Sequence, residues 1–496
     1  MTGAVIVMWT GENYNPTCSD GATETPPHRE NAMATRHRPN IVFILTDDQG
    51  PWAAGCYGNP EIRTPHIDRL AEQGVRFENF FCSSPVCSPA RASLMTGRMP
   101  SAHGVHDWIR DRNMPPEPAR YLEGQTCYTD VLARNGYSCG LSGKWHLGDS
   151  MQPQHGFDYW YCMPEGYSRY HNAEMIWEGE VREYPGYLTD RITDFGIQFI
   201  EESYAAGPFY LSLHYNAPHS PWTGHPEELV ESYEDCAFKT CPQEAMHRWA
   251  RPMSRNLLGN REMLKGYFAA VTGVDLGVGR VLDKLEDLGI REDTLVVFTS
   301  DNGYSCGQHG FWGKGNGTFP QNMYENSIRV PFIVSHAGEL PRGATSPAMM
   351  SQYDFMPTLL EYLELPQPEP SLQPGVSYLS AWTGEADSVR DEVVVFDEYG
   401  PVRMLRTQLW KYIHRYPHGP HELYNLKEDP GERNNLVGRE EQSDRIRRMR
   451  RRLRDWFAQY VDPGRDGTHF PVTGWGQKDR IGPHHPGEDA FYGRGA

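Results

Sequence analysis

Several stretches of the chain are continuously apolar or β-branched and then stop abruptly at polar residues. Asn40-Ile41-Val42-Phe43-Ile44-Leu45 runs into Thr46-Asp47-Asp48-Gln49-Gly50, and Thr294-Leu295-Val296-Val297-Phe298-Thr299-Ser300 runs into Asp301-Asn302-Gly303. Between them, a short apolar segment ending near Leu141 leads to Gly143-Lys144-Trp145-His146, and Pro208–His214 leads to Asn216-Ala217-Pro218-His219. Such runs predict strands buried on both faces, the kind that fill a parallel sheet. In open α/β sheets ligands gather at the carboxyl ends of the strands, so the polar residues that follow these runs are the first candidates for chemistry.

Helical periodicity fills the intervals. Leu264, Phe268, Val271, Val274, Val278, Leu282 and Leu285 recur three and four apart, which predicts a long amphipathic helix over 263–287 covering the sheet. Thr64-Pro65 predicts the start of a shorter helix, with Thr64 as its capping side chain, closed by Gly74 before the strand Val75-Arg76-Phe77. Beyond about residue 385 the texture changes. Asp391–Asp397, Val402–Thr407, Trp410–His414 and Glu422–Leu426 read as short strands of a small antiparallel sheet. Ile446, Met449, Leu453 and Trp456 then mark one face of a terminal helix whose opposite, arginine-rich face reads as a solvated surface. The fold class is therefore α/β, a large central, mostly parallel sheet flanked by helices, with a smaller C-terminal antiparallel sheet and helix.

Composition narrows the partners. At 496 residues the chain exceeds what one core usually serves, so one large domain with an appendage is expected. A formal net charge of −18 argues against a nucleic-acid partner and requires any anion site to be a local positive island. Ten cysteines lack a C-x-x-C pair or regular spacing, which indicates neither a zinc module nor a disulfide scaffold. The first residues do not resemble a signal peptide, and no segment has about 18 uninterrupted apolar residues. A reduced, cytoplasmic chain without membrane association is expected.

Candidate chemistry centres on Cys87 in Val86-Cys87-Ser88-Pro89-Ala90-Arg91. Pro89 is expected to start a helix, leaving Cys87 at its amino end, where unpaired N–H groups and the helix dipole favour negative charge. Lys144 and His146 alternate on one side of an extended segment, and Lys314 lies in the glycine-rich run Gly310–Gly317, read as a loop outside the core. The cysteine motif, the phrase Thr-Pro-His-Ile-Asp-Arg-Leu-Ala, the block Gly-Lys-Trp-His-Leu-Gly and their order in the chain resemble the type I sulfatases, the arylsulfatase family.

That resemblance implies an alkaline-phosphatase-like fold and a definite site. A formylglycine-generating maturation enzyme reads Cys87, Pro89 and Arg91 and oxidises Cys87 to formylglycine, whose hydrated aldehyde is the nucleophile. Arg91 stabilises the hydrate, Lys144 and Lys314 hold the sulfate, His146 contacts the formylglycine hydroxyl, His219 protonates the leaving oxygen and Asp301 helps to remove the nucleophile's proton. Asp47, Asp48, Asp301 and Asn302, with the modified Cys87, form a metal site whose oxygen donors suit Ca²⁺, with Mg²⁺ as the alternative. The domains read as a disordered or loosely attached leader (1–37), a catalytic domain (38–385), a small α+β subdomain (386–460) and a tail (461–496), either disordered or folded over the cleft. The expected function is hydrolysis of a sulfate monoester. A sulfated carbohydrate is the preferred substrate, because Tyr159-Trp160-Tyr161 and Trp177 offer aromatic faces for sugar stacking. The alternatives are a phosphonate monoester or phosphodiester hydrolase of the same superfamily, whose members usually carry histidine where this chain has Asn302, and a noncatalytic sulfated-glycan binder.

Overall fold

The apolar runs become the middle of one sheet in the computed structural model, which describes residues 38–369, 372–397, 401–482, 487 and 489–493. The expected leader, 1–37, lies outside the described residues. In chain order the strands are β1 (Asn40–Thr46), β2 (Val75–Phe81), β3 (Ser138–Gly143), β4 (Tyr159–Cys162), β5 (Glu174–Trp177), β6 (Glu180–Glu183), β7 (Phe209–His214) and β8 (Thr294–Ser300). A short hairpin of β9 (Ser305–Cys306) and β10 (Trp312–Gly313) follows, and β11 (Arg329–Val330), β12 (Phe332–Ser335) and β13 (Ala344–Ser351) complete the large sheet. Its order is β2–β12–β8–β1–β7–β3–β4–β5–β6, with β11 antiparallel and β13 parallel to β2.

β1 lies parallel to both β7 and β8, and β7 parallel to β3, so four carboxyl ends share one edge. The register pairs Thr46 with Ser300 and Gly143 with His214. Asp47 and Asp301 therefore leave the sheet at the same level.

Alternation along β1 builds two cores. Ile41, Phe43 and Leu45 join one cluster with Ala92 and Met95 of α2 (Cys87–Thr96) and Tyr128 and Leu132 of α3 (Tyr128–Arg134). Val42 and Ile44 join the other, with Ile192 and Phe199 of α4 (Leu188–Ser203) and Val274 and Val278 of α5 (Arg261–Asp287). A strand covered by helices on both faces has no polar side, which is why its sequence shows no alternation.

One capping expectation is corrected. The helix that follows Thr64 (Pro65–Glu72) is not capped by that residue, whose hydroxyl instead accepts Gly55 N–H at 2.8 Å and donates to Asp68. The cap comes from the middle of α5, where Asp275 Oδ1 accepts the N–H groups of His66 (2.9 Å) and Ile67 (2.8 Å).

The C-terminal strands, β14 (Glu392–Asp397), β15 (Val402–Thr407), β16 (Trp410–Arg415) and β17 (Glu422–Asn425), form an antiparallel sheet in sequential order. Met449, Leu453 and Phe457 of the last helix (Ser443–Tyr460) pack on Val394, Phe396, Leu405 and Tyr412 of this sheet. Buried ion pairs join it to the preceding chain through Glu325, which lies 2.7 Å from Lys411 and 3.3 Å from Arg406, while Lys411 also pairs within the subdomain with Glu432 at 2.6 Å. The described part of the tail lies against the segment 101–112, where Ile109 and Gln477 form a parallel bridge. Among the described residues no disulfide involves the nine cysteines, and no helix is long and apolar enough to cross a membrane.

Candidate active site

The carboxyl edge of β1, β7, β3 and β8 faces the amino end of α2, and the polar residues left there meet around Cys87. The helix begins at Cys87 itself, two residues before the expected start. Cys87 Sγ lies 3.5 Å from Asp47 Oδ1 and accepts a hydrogen bond from the Lys314 ammonium at 2.8 Å. One turn along the helix, Arg91 donates through Nε to Asp301 (3.0 Å), through one terminal nitrogen to the Lys144 carbonyl (3.0 Å), and lies 3.5 Å from Asp47. Lys144 pairs with Asp47, and Lys314 with Asp48 at 2.6 Å. Asp48 also accepts from the Asn302 amide at 2.7 Å.

Backbone geometry aims these groups. Asp48 and His146 have positive φ (68° and 57°), a strained setting for side chains that concentrates at functional sites. Gly143, at φ 117°, lets the chain leave β3 against β7, since a β-carbon there would stand 2.0 Å from the His214 carbonyl oxygen. At Gly166 a β-carbon would stand 2.1 Å from His146 Nε2, so the absence of a side chain at 166 makes room for that imidazole.

Burial and charge then set protonation. Burial opposes ionisation of Asp47, yet Lys144, His219, Lys314 and Arg91 hold its carboxyl far below the usual range. Burial and the neighbouring Asp47 push Asp301 up to about 6, against Arg91 and both lysines. Burial, then Asp47, push the Cys87 thiol up to about 12, so at neutral pH an unmodified Cys87 is a protonated thiol and a poor nucleophile. Burial, then Lys144, pull His146 well below its ordinary value and leave it neutral. Its Nε2 lies 2.8 Å from the Ile109 carbonyl, which can only accept. The proton therefore sits on Nε2, and Nδ1 is a buried lone pair without a partner. Burial also lowers His219, against Asp47 and Asp48; its Nδ1 donates to the Ser220 carbonyl at 2.8 Å, and Nε2 lies 3.9 Å from Asp48.

The donor set fits a hard cation. Oxygens of Asp47, Asp48 and Asp301 lie within 4.8 Å of one another, and Asn302 Oδ1 is buried with no hydrogen-bond partner. Three carboxylates and an orphaned amide oxygen suit a hard divalent cation, whose charge would offset the burial and the Asp47 repulsion that raise Asp301.

All ten residues singled out from the sequence meet at this edge, including His219, which lines the cleft with Cys87, His146 and Lys314. His214 stays in the sheet, its Nδ1 on the Lys144 carbonyl at 3.0 Å. Two expectations are corrected. Lys314 is not on a loop outside the core: it is 5% exposed and pinned between Asp48 and Cys87. The aromatics proposed for sugar stacking pack in the interior (Trp160, Tyr161) or half-buried against it (Tyr159, Trp177), and none lines the cleft. Trp160 packs on Trp145 and Phe157, Tyr161 stacks on Phe195 at 3.6 Å, and Tyr159 and Trp177 pack on each other. The cleft, about 310 Å³, is walled instead by Trp108, Ile109, Arg110, Glu165, Tyr167 and Asn316, none of which stands in a periodic pattern or a recognised block.

Comparison with known proteins agrees with this geometry. The sulfatase family model matches residues 39–365, and the model of the C-terminal region of N-sulphoglucosamine sulphohydrolase matches 307–459. The chain is 27% identical to an N-acetylglucosamine-6-O-sulfatase of Bacteroides thetaiotaomicron, over 86% of this chain and 87% of that one. It is 31% identical to the N-acetylgalactosamine-6-sulfatase of Canis lupus familiaris, over 70% and 66%. A structure solved with its substrate, D-glucosamine-2-N,6-O-disulfate, superposes with a TM-score of 0.72 at 26% identity, covering 85% of this chain and 98% of that one. A match of this extent, on a chain whose strand ends carry carboxylates and lysines around a buried Cys87, places it in the type I sulfatase family of sulfuric ester hydrolases.

Proposed function

We propose that the protein hydrolyses a sulfate monoester of a saccharide, with residue 87 as formylglycine and one Ca²⁺ or Mg²⁺ held by Asp47, Asp48, Asp301 and Asn302. The observation that carries this reading is the convergence of two lysines, Arg91 and three carboxylates on Cys87 at the floor of an open cleft. Conversion of Cys87 by a maturation enzyme supplies a hydroxyl nucleophile, and the cation supplies charge stabilisation for the sulfuryl oxygens. The chain's residues do the rest. Lys144 and Lys314 stand on either side of Asp47 and place positive charge where ester oxygens arrive. Arg91 keeps Asp47 and Asp301 in position from within the helix. His146 presents Nδ1 as a proton acceptor. His219 lines the cleft with Nε2 turned towards Asp48 and, in its doubly protonated form, is placed to pass the Nε2 proton to the departing sugar oxygen. Each proton-transfer role is worth about 10²-fold or more. A saccharide is favoured by the cleft wall: Tyr167 is 65% exposed, and together with Trp108 it offers apolar faces, while Arg110 and Glu165 offer polar groups for hydroxyls or a second charge. The named relatives that act on sulfated sugars support the same class.

Asn302 stands where the phosphonate monoester and phosphodiester hydrolases of the superfamily usually carry histidine, so the metal-site donors match the sulfatase set. The mature enzyme is therefore expected to favour a sulfate monoester over the matching phosphonate monoester by about tenfold or more in kcat/KM, a difference of about 1.4 kcal/mol. Sulfated and phosphonylated forms of one acceptor sugar, compared at equal metal content, test this. A faster phosphonate reaction would transfer the assignment to phosphonate hydrolysis.

A further inference from the structure

We infer that Gln477, in the C-terminal tail, is a positioning residue for the active site. It templates the segment 104–110 and, through Ile109, fixes which nitrogen of His146 carries the proton and where Trp108 and Arg110 stand in the cleft. This rests on the reading of His146 Nδ1 as a proton acceptor.

Gln477 is fully buried, and both ends of its amide are used. Oε1 accepts the N–H groups of His106 (2.9 Å) and Asp107 (3.4 Å). Nε2 donates to the carbonyls of Gly104 (3.0 Å) and Asp479 (2.9 Å). Its backbone N–H donates to the Trp108 carbonyl at 2.8 Å, and its carbonyl accepts Arg110 N–H at 2.9 Å. One tail residue thus occupies backbone groups of five consecutive or near-consecutive residues that have no sheet or helix of their own. Asp107 answers from the other side, accepting Gly474 and Gly476 N–H, each at 3.1 Å.

Ile109 sits in the middle of this clamp. Its N–H donates to Ser88 Oγ at 3.0 Å, next to Cys87, and its carbonyl takes the His146 Nε2–H. Its side chain is 1% exposed, while its neighbours Trp108 and Arg110, one step away on either side of an extended segment, are half-buried cleft residues. The path from the tail to the imidazole therefore runs through the Gln477 amide, which holds 104–107, and through the main-chain hydrogen bonds on either side of Ile109. Glutamine suits the position because only an amide can accept from two N–H groups and donate to two carbonyls there. Leucine would orphan the Gly104 carbonyl and two N–H groups in a buried place. A segment freed from those bonds no longer holds the Ile109 carbonyl against His146.

The test uses full-length protein and a signal independent of turnover. Imidazole ¹⁵N spectra of Cys87→Ala protein should show His146 with Nδ1 unprotonated, the resonance being assigned by its loss in His146→Gln. Adding Gln477→Leu should average the two nitrogens. In mature enzyme the same substitution should lower kcat on a small aryl sulfate by about tenfold or more, and raise KM for a sulfated sugar as Trp108 and Arg110 loosen. Gln477→Glu, which keeps the two accepted bonds and loses the donated ones, should fall between, and it decides the matter if the leucine variant does not fold. A folded Gln477→Leu or Gln477→Glu chain with an unchanged His146 signature and unchanged kcat overturns the inference. Absence of sulfate ester turnover in the unsubstituted enzyme would instead count against the function proposed above, leaving the nitrogen spectra to judge Gln477.

Discussion

Relative to the mature enzyme, the Cys87→Ala protein is expected to lose turnover of any sulfate ester by about 10⁴-fold or more while keeping its fold. The first part follows from position: residue 87 is the group on which Lys314, Asp47 and the amino end of α2 converge, and alanine leaves nothing there to attack sulfur. The second follows from packing. Alanine is small, favours helix and adds no polar group, and the Lys314 ammonium keeps its bond to Asp48. Thermal melting should therefore shift by only a few degrees, and peptide mass across residue 87 of the unsubstituted enzyme should report formylglycine. Fully active protein carrying only a cysteine thiol at 87 would refute the proposed nucleophile.

Asp47→Ala is expected to remove metal binding, lower turnover by about 10³-fold and, unlike the first variant, destabilise the chain. Lys144 and Arg91 are both buried against this carboxylate. Removing it strands the Lys144 charge and leaves Arg91 with Asp301 alone, a loss of about 3–5 kcal/mol for a broken buried pair. Asn302→Ala provides the contrast, because it removes a neutral oxygen donor and strands no cation. It should weaken metal binding with a much smaller change in melting temperature. Metal analysis of dialysed protein alongside thermal melts separates the two effects. An Asp47→Ala protein that still holds stoichiometric metal would mean that the ion sits elsewhere.

The strand ends were legible because Asp47, Asp48, Asp301 and Asn302 follow directly on long apolar runs, and a buried parallel strand leaves an unmistakable mark of that kind. What failed to show in the sequence was decided by distant partners. Tyr161 and Trp160 look the same whether an aromatic faces a cleft or a core, and only Phe195, Trp145 and Phe157 settle the question. Asp275 reads as one acid on a long helix, yet it caps a helix some two hundred positions earlier in the chain. Around Lys314 the glycines suggested a loop outside the core, whereas they permit close packing within it: a β-carbon at Gly317 would stand 2.6 Å from Phe311. The segment 104–110 and the tail are held by main-chain and amide hydrogen bonds more than by apolar burial, so neither carries a periodicity to detect.

The depth of α2 also sets a schedule for making the enzyme. All ten of its residues are buried, and Cys87 is 3% exposed. Under the proposed conversion, a modifying enzyme that must recognise Cys87, Pro89 and Arg91 together cannot reach them in the finished protein and has to meet them as an open peptide. Synthesis allows this, since the motif leaves the ribosome long before Gln477 exists to complete the wall above it. Once folding has closed that interval, an unconverted molecule is permanently inert however long the modifying enzyme is supplied, so the active fraction of a preparation records a race run during translation.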